Sequence, residues 1–503
     1  VKRRTPSNQR ISRRGLLKGF AAAAGLAGAG ATSLLHRPRP AYSRQRDGND
    51  PRFLITLAAA GGASIIDAML AIRHSESENF ETVNCFPDEE VKSIEGSPLR
   101  GVDRSSSRVG PIPFGYTARQ SEFVAKHKQD MLVATLTSTS VNHTVAQKRA
   151  VTGNNAWAGR TLAEAVATQY GVDCPLANVN MSIGGYLEPG DDRSVPGFAR
   201  SEPVAQAALW PLSLDGRQGF SDGPDSDVLE LARSLRDDEL DPESVFYRTF
   251  ELSDRLERWQ RQRSAARTFE ELDLISKLNF FPESEDFPLS DYGLRSSPDA
   301  ARLNQLFPDA VSDPLEAQAA LAFLLIKYRV STAVTISPSF AGVLFGGRLV
   351  NPPLAYDFSH TDHRDGQALM WNRMLSIADR LIGLLKSEEY ADTGESLWDR
   401  TLIHVATDFG RSKERTGAAA NFGSGHDLNN GVLLISPLVN GNRVLGGVDP
   451  NTGLTYGFDP ITGDPDPNRT MAEAEIFAGI TEVLGLDTAG VGLPSVPAMV
   501  RPA

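Results

Sequence analysis

Five short runs of apolar, β-type residues recur along this chain, and each ends in a loop rich in Ser, Thr, Asp or His. They are 53–58 (Phe-Leu-Ile-Thr-Leu-Ala), 131–137 (Met-Leu-Val-Ala-Thr-Leu-Thr), 331–337, 401–407 (Thr-Leu-Ile-His-Val-Ala-Thr) and 431–436. Runs this continuously apolar, without polar alternation, are buried on both faces. A sheet covered on both faces is parallel or mixed, with helices packed over it. Between the third and fourth runs, Gln367 to Glu388 places Leu369, Met370, Met374, Leu375, Ile377, Leu381, Ile382, Leu384 and Leu385 at helical spacing. The order strand, helix, strand predicts an α/β domain, and ligands in such folds bind at the carboxyl ends of the strands. Ala472–Leu486 predicts an amphipathic closing helix.

Charge separates the N-terminus from the rest. Residues 1–46 hold eleven Lys/Arg and no Asp or Glu, which leaves 40 basic against 63 acidic residues in the remainder. A body that acidic repels a nucleic-acid backbone, so no nucleic-acid partner is expected. Arg13-Arg14, Leu16-Leu17-Lys18 and the Gly/Ala/Leu run from Gly19 to Leu35 have the layout of a twin-arginine export signal. The alternative, a transmembrane anchor, is disfavoured by a core of mostly Ala and Gly. Residues 1–45 are therefore expected to be a signal and linker that engage the twin-arginine export machinery. Cleavage is expected near Ala41-Tyr42-Ser43, leaving a periplasmic or secreted protein without a stable transmembrane segment. Two cysteines, Cys85 and Cys174, exclude a disulfide scaffold and a cysteine zinc site. Export leaves open whether they pair.

The mature chain divides by composition into 50–190, 191–310 and 311–503. The middle part starts with Pro/Gly/Asp-rich loops and turns strongly charged at Asp225–Arg236 and Glu243–Lys277, which predicts exposed helices in an insertion or cap. Asp-Pro-x-Thr-Gly occurs at 449–453 and again at 459–463, which is turn chemistry.

Four of the eight histidines, His143, His360, His363 and His426, fall in polar segments after strands. The densest group is Asp357-Phe-Ser-His360-Thr-Asp362-His363-Arg-Asp365. Mixed nitrogen and oxygen donors of this kind suit Zn²⁺, Mn²⁺ or Fe. The same carboxylates just before a helix also suit capping of its N-terminus. Asp408, at the end of the 401–407 run, is placed to bind metal. Arg411 is placed to clamp an oxyanion with its planar fork, and a buried Asp408–Arg411 pair is the structural alternative. His426 stands in the Gly423–Asn430 loop as a ligand or a loop hydrogen bonder. Thr139 and Ser140, in Thr137–His143, offer hydroxyls that a metal or base could activate, or turn chemistry.

Taken in order, these features resemble the exported bacterial proteins grouped as domain of unknown function 1501, related to the alkaline phosphatase and sulfatase superfamily. The resemblance rests on the twin-arginine leader, Gly61-Gly62, His143 with Ala146-Gln147, the Asp/His group at 357–363, Thr407-Asp-Phe-Gly-Arg411, Gly425-His426, Gly446-Gly447 and the terminal helix. It covers most of 50–490 and is weakest over 190–310. It implies an alkaline-phosphatase-like three-layer α/β sandwich, with a central, mostly parallel sheet and a helical insertion. It also implies a metal-dependent hydrolase acting on a small anionic phosphate or sulfate ester, or a glycan-linked one. Carried onto this chain, Asp357 with His360, or Asp362 with His363, would be one ligand pair, joined by Asp408 and His426. Thr139 would be the best-placed attacking hydroxyl. The cation would be a divalent metal, Zn first, with Mn or Fe as alternatives. Three departures bear on this. Ser64 stands where the family has an acid, Phe409 where the phosphatases have a histidine, and Gly425 precedes His426 where the family tends to Asp. They leave one metal, or none, as alternatives to two. They also favour a second reading, a non-catalytic envelope protein that keeps the fold with a degenerate metal site. The export route alone points to a third, a metal-bound oxidoreductase.

Overall fold

A computed structural model describes residues 51–502 apart from 215–225, 252, 254, 257–258, 260–273, 286–287, 293, 346–347 and 416–421. The export signal and cleavage region expected within residues 1–45 lie outside the described residues.

All five apolar runs enter one sheet, which has eight strands among the described residues. In chain order these are β1 (Phe53–Ala59), β2 (Met131–Thr137), β3 (Asn178–Asn180), β4 (Glu202–Pro203), β5 (Ala333–Ile336), β6 (Thr401–Thr407), β7 (Asn429–Ile435) and β8 (Arg443–Leu445). Across the sheet the order is β8-β2-β7-β6-β1-β5-β3-β4. Every pairing is parallel except those of β7, which runs antiparallel to both β6 and β2. The fold is therefore mixed α/β around a mostly parallel sheet.

Both faces are covered, because neighbouring residues of β1 point to opposite sides and yet Phe53 through Ala59 are all buried. One face, carrying Leu54, Leu132, Ala134, Leu402 and Leu434, packs on Leu162, Val166, Ile476, Phe477 and Ile480. These come from helices α2 (Leu162–Tyr170) and α5 (Glu473–Val483); α1 (His143–Thr152) packs beside them. A second pair, α3 (Pro314–Lys327) and α4 (His363–Lys386), pack on each other, and α3 lies on β5. The helix expected from Gln367 begins four residues earlier, because the Asp362 carboxylate accepts the Asp365 amide at 3.2 Å and caps it.

The chain separates into two compact units. The sheet and its helices form one. The other, drawn from residues 224–272, shows in its described residues helices Ser226–Ser234 and Val245–Phe250, with a π-helical stretch at Leu235–Leu240. The segregated segment is shorter than the expected 191–310. Glu202–Pro203 is an edge strand of the sheet, and Leu274, Ile275 and Leu278 are buried rather than on an exposed helix. No disulfide joins Cys85 and Cys174. Among the described residues no helix is long and apolar enough to cross a membrane.

Topology brings the site together. Ala59 pairs with Thr407 at the carboxyl ends of β1 and β6. Antiparallel β7 starts where β2 ends, with Asn429 opposite Thr137. The loops after β1, β2 and β6 and the loop before β7 thus share one edge of the sheet.

Candidate metal centre

At that edge the Asp408 carboxylate is fully buried and every lone-pair direction it uses is taken by the protein. Oδ1 accepts the Gly62 amide at 2.7 Å, while Oδ2 accepts the Gly61 amide at 3.1 Å and His143 Nδ1 at 2.7 Å. The two glycines are required here. Gly61 has φ +99°, and a Cβ on it would lie 2.4 Å from the Asp357 amide nitrogen. Gly62 has φ +79°, and a Cβ there would lie 2.7 Å from Arg411 Nε.

Asp357 and His360 come from one 3₁₀ turn, Ala355–His360. Residues three apart eclipse in such a turn, so both side chains face the same way. The turn is entered through two non-glycine residues with positive φ, Leu354 at 66° and Ala355 at 49°. Strain of this kind is held in place by its surroundings and concentrates at functional sites.

Three imidazoles converge on Asp357 Oδ1. His360 Nε2 is 3.2 Å away, His426 Nε2 3.3 Å and His143 Nε2 3.5 Å. Each ring is held from outside this group. His143 Nδ1 donates to Asp408, His426 Nδ1 donates to the Val141 carbonyl at 2.9 Å, and His360 is held by the Ser424 backbone. Metal-binding histidines are oriented by a carboxylate or carbonyl on the far nitrogen, as His143 and His426 are here. Phe409, fully buried, stacks on His426 with ring centroids 4.1 Å apart and lies 4.8 Å from the His143 ring. The residue that cannot bind metal is thus the wall that sets two rings which can.

Ring protons and Arg411 set the charge in this group. His426 Nδ1 carries its ring's proton, and Arg411 Nη1 points at His360 Nε2 from 3.2 Å. In neutral rings both Nε2 atoms are therefore acceptors, yet they lie 2.8 Å apart. Burial and the nearby Arg411 charge push the His360 imidazole below its ordinary pKa. Burial alone would also lower His143, but Asp357 and Asp408 outweigh it and raise it to about 9. Asp357 is held well below the usual carboxylate range. Burial would raise it, and the hydrogen bonds from His143 and Arg411 overcome that. His143, Asp357 and His426 each offer one ligand atom, all within 4.8 Å of one another. Nitrogen and carboxylate donors in this set fit Zn²⁺, Mn²⁺ or Fe rather than Ca²⁺ or Mg²⁺.

No family model matches this chain, and no curated protein matches it.

The other expected site residues lie elsewhere or act differently. Asp408 joins the cluster by orienting His143, with no free oxygen for a metal. Arg411 is fully buried and its fork is spent. It donates to the Gly61 carbonyl, to Asp357 at 2.6 Å, to the Gly62 carbonyl at 3.4 Å and to the Ser424 carbonyl at 3.5 Å. It positions Asp357 rather than clamping an anion. Asp362 caps α4 and accepts the Gly110 amide at 3.0 Å. His363, the first residue of α4, points to Asp67 and Ser424. The Thr139 hydroxyl donates to Glu473 Oε2 at 2.6 Å and accepts from Arg149 at 2.9 Å. Ser140 Oγ accepts the Asn142 amide at 3.1 Å, a turn contact next to the α1 cap. Gln147, one turn beyond His143 on α1 and named with it in the sequence, donates to Asp408 Oδ2 at 3.5 Å. Sequence reasoning gave no role to Asp67, Lys413 or Ser424, which no local spacing signals.

Proposed function

We propose that the protein is an exported metal-dependent hydrolase of phosphate or sulfate esters, with an alkaline-phosphatase-like three-layer sandwich and a single-cation centre. One observation carries this reading. Three imidazoles, two of them tied down at Nδ1, present Nε2 to the same Asp357 oxygen at the carboxyl edge of the sheet. Asp357, His360, His426 and His143 would hold the cation. A bound divalent cation supplies Lewis acidity, charge for an anionic ester and a water of lowered pKa. The protein's own part is positional. Asp408 and the Gly61-Gly62 amides fix the His143 ring, Arg411 fixes Asp357, and Phe409 keeps water from one side of the rings. The Thr139 hydroxyl is committed to Glu473, while Ser140 Oγ only accepts the Asn142 amide. The twin-arginine layout supports export to the periplasm or beyond.

The commitment of Arg411 and Thr139 favours a second reading as well, a metal-binding envelope protein without turnover. Purification without chelator, elemental analysis, and a screen of aryl phosphate and sulfate esters separate the two. Stoichiometric metal with metal-dependent hydrolysis supports the hydrolase. Stoichiometric metal with no turnover leaves the binding protein. Absence of metal that Asp357→Asn does not change removes both.

A further inference from the structure

A second carboxylate–imidazole pair lies next to the first, and a lysine already sits on it. Asp67 and His363 are fully buried, with His363 Nε2 3.0 Å from Asp67 Oδ1. His363 Nδ1 meets Ser424 Oγ at 2.7 Å, and the Ser359 carbonyl lies 3.5 Å from that oxygen. The carboxylate can only accept, so the ring donates Nε2–H to Asp67 and takes the Ser424 hydroxyl on Nδ1. An imidazole and a carboxylate thus share one buried proton, in a pair that a cation could bridge only by displacing it. The Lys413 ammonium contacts the other carboxylate oxygen, and Asn84 donates to Oδ1 at 3.1 Å. Ser424 links the two pairs, since its carbonyl accepts from Arg411 and its hydroxyl meets His363. Arg411 and Lys413 stand two apart on one extended segment, so both side chains leave on the same side. One reaches Asp357 and the other Asp67.

We propose that the protein takes one divalent cation, at Asp357, and that the Lys413 ammonium stands in for a second, closing Asp67 and His363 to metal. This rests on the metal reading of the Asp357 cluster. Lysine suits the task as a compact point charge on a flexible stem. A buried carboxylate left without it would be strongly destabilising, and a divalent ion that displaces the His363 proton is the replacement that Asp67 and His363 together would accept.

The test counts zinc per chain after the purified protein is equilibrated with Zn²⁺ and desalted. Wild type should hold one. Lys413→Ala should hold two, and its thermal midpoint, lowered in chelator, should recover more on adding Zn²⁺ than that of wild type. Asp67→Asn should still hold one. Two zinc ions in wild type, one in folded Lys413→Ala, or fewer than one in Asp67→Asn would overturn the proposal. If Lys413→Ala is not recovered folded, the neutral pair Asp67→Asn/Lys413→Met serves: it should hold one, and loss of that ion overturns the proposal. No zinc in wild type would end this inference and the hydrolase reading together. One zinc without ester hydrolysis would end only the latter.

Discussion

His360 Nε2 lies 2.8 Å from His426 Nε2, and both nitrogens face Asp357 Oδ1. A cation or a shared proton is needed to join them, and the proposed centre takes the cation. Removing either ring should therefore do more to metal binding than to the fold. His426→Ala is expected to lose most of its zinc while remaining folded, because the ring is partly exposed and lies at the start of a two-residue strand. Wild type should gain about 2.7 kcal/mol of stability at a zinc concentration one hundred times its Kd. The variant should gain little at that same concentration. Equal zinc-dependent shifts in thermal unfolding for the two proteins would show that His426 is no ligand.

In the proposed centre Asp408 is the residue that orients His143. Both carboxylate oxygens accept hydrogen bonds, from the amides of Gly61 and Gly62 and from His143 Nδ1. In Asp408→Asn one of these positions becomes an NH₂ group facing a donor. The ring is then free to turn or to change tautomer. Changes at such outer partners typically weaken metal binding 10–100-fold, and that range is the expectation here. Competition with a chromophoric chelator measures it. An affinity unchanged within threefold would mean that His143 stands outside the coordination sphere.

The residue types of this centre were legible in the chain, but their division of labour was not. Continuous apolar runs announced β1, β2, β5, β6 and β7. Strands β3, β4 and β8, of two or three residues, carry no periodicity to read. The group 357–365 holds three carboxylates and two imidazoles, and spacing alone does not say which pair faces the metal. Local geometry separates the two pairs. Asp357 and His360 share a face of one 3₁₀ turn, whereas Asp362 turns back to cap α4. Asp408 reads as a ligand because it ends a strand, yet the tight Gly61-Gly62 turn fills its oxygens. The pairing of Asp67 with Lys413 spans 346 positions and is set by tertiary contact, which no local pattern encodes.

Thr139 provides a test in the opposite direction. Its hydroxyl is bound to Glu473 at 2.6 Å and to Arg149 at 2.9 Å, and its amide also donates to Glu473 at 3.0 Å. It ties the β2 loop to the start of α5. Thr139→Val should therefore cost about 1 kcal/mol of stability and leave zinc content and any esterase rate within about threefold. A loss of 10²-fold or more in kcat with zinc retained would restore Thr139 as the nucleophile.

His404 sits inside β6, fully buried, and its Nδ1 finds no partner. Burial pushes the imidazole down to about 4, while an unfolded histidine titrates near 6.5. Between those two values the unfolded chain takes up a proton that the folded protein refuses. Stability contributed by the neutral ring is thus fully present above about pH 6.5. It falls as the pH drops toward 4, and levels off below. The loss across that window is about 3 kcal/mol, because each tenfold difference in proton affinity between the two states is worth about 1.4 kcal/mol. His404→Leu removes the titrating group and keeps an apolar side chain of similar bulk among the strand's neighbours. Urea unfolding at pH 7 and pH 4.5 should then show a smaller acid loss in the variant than in wild type, by about 2 kcal/mol or more. Identical losses in the two proteins would mean that His404 is already protonated in the folded state, with an internal partner on Nδ1.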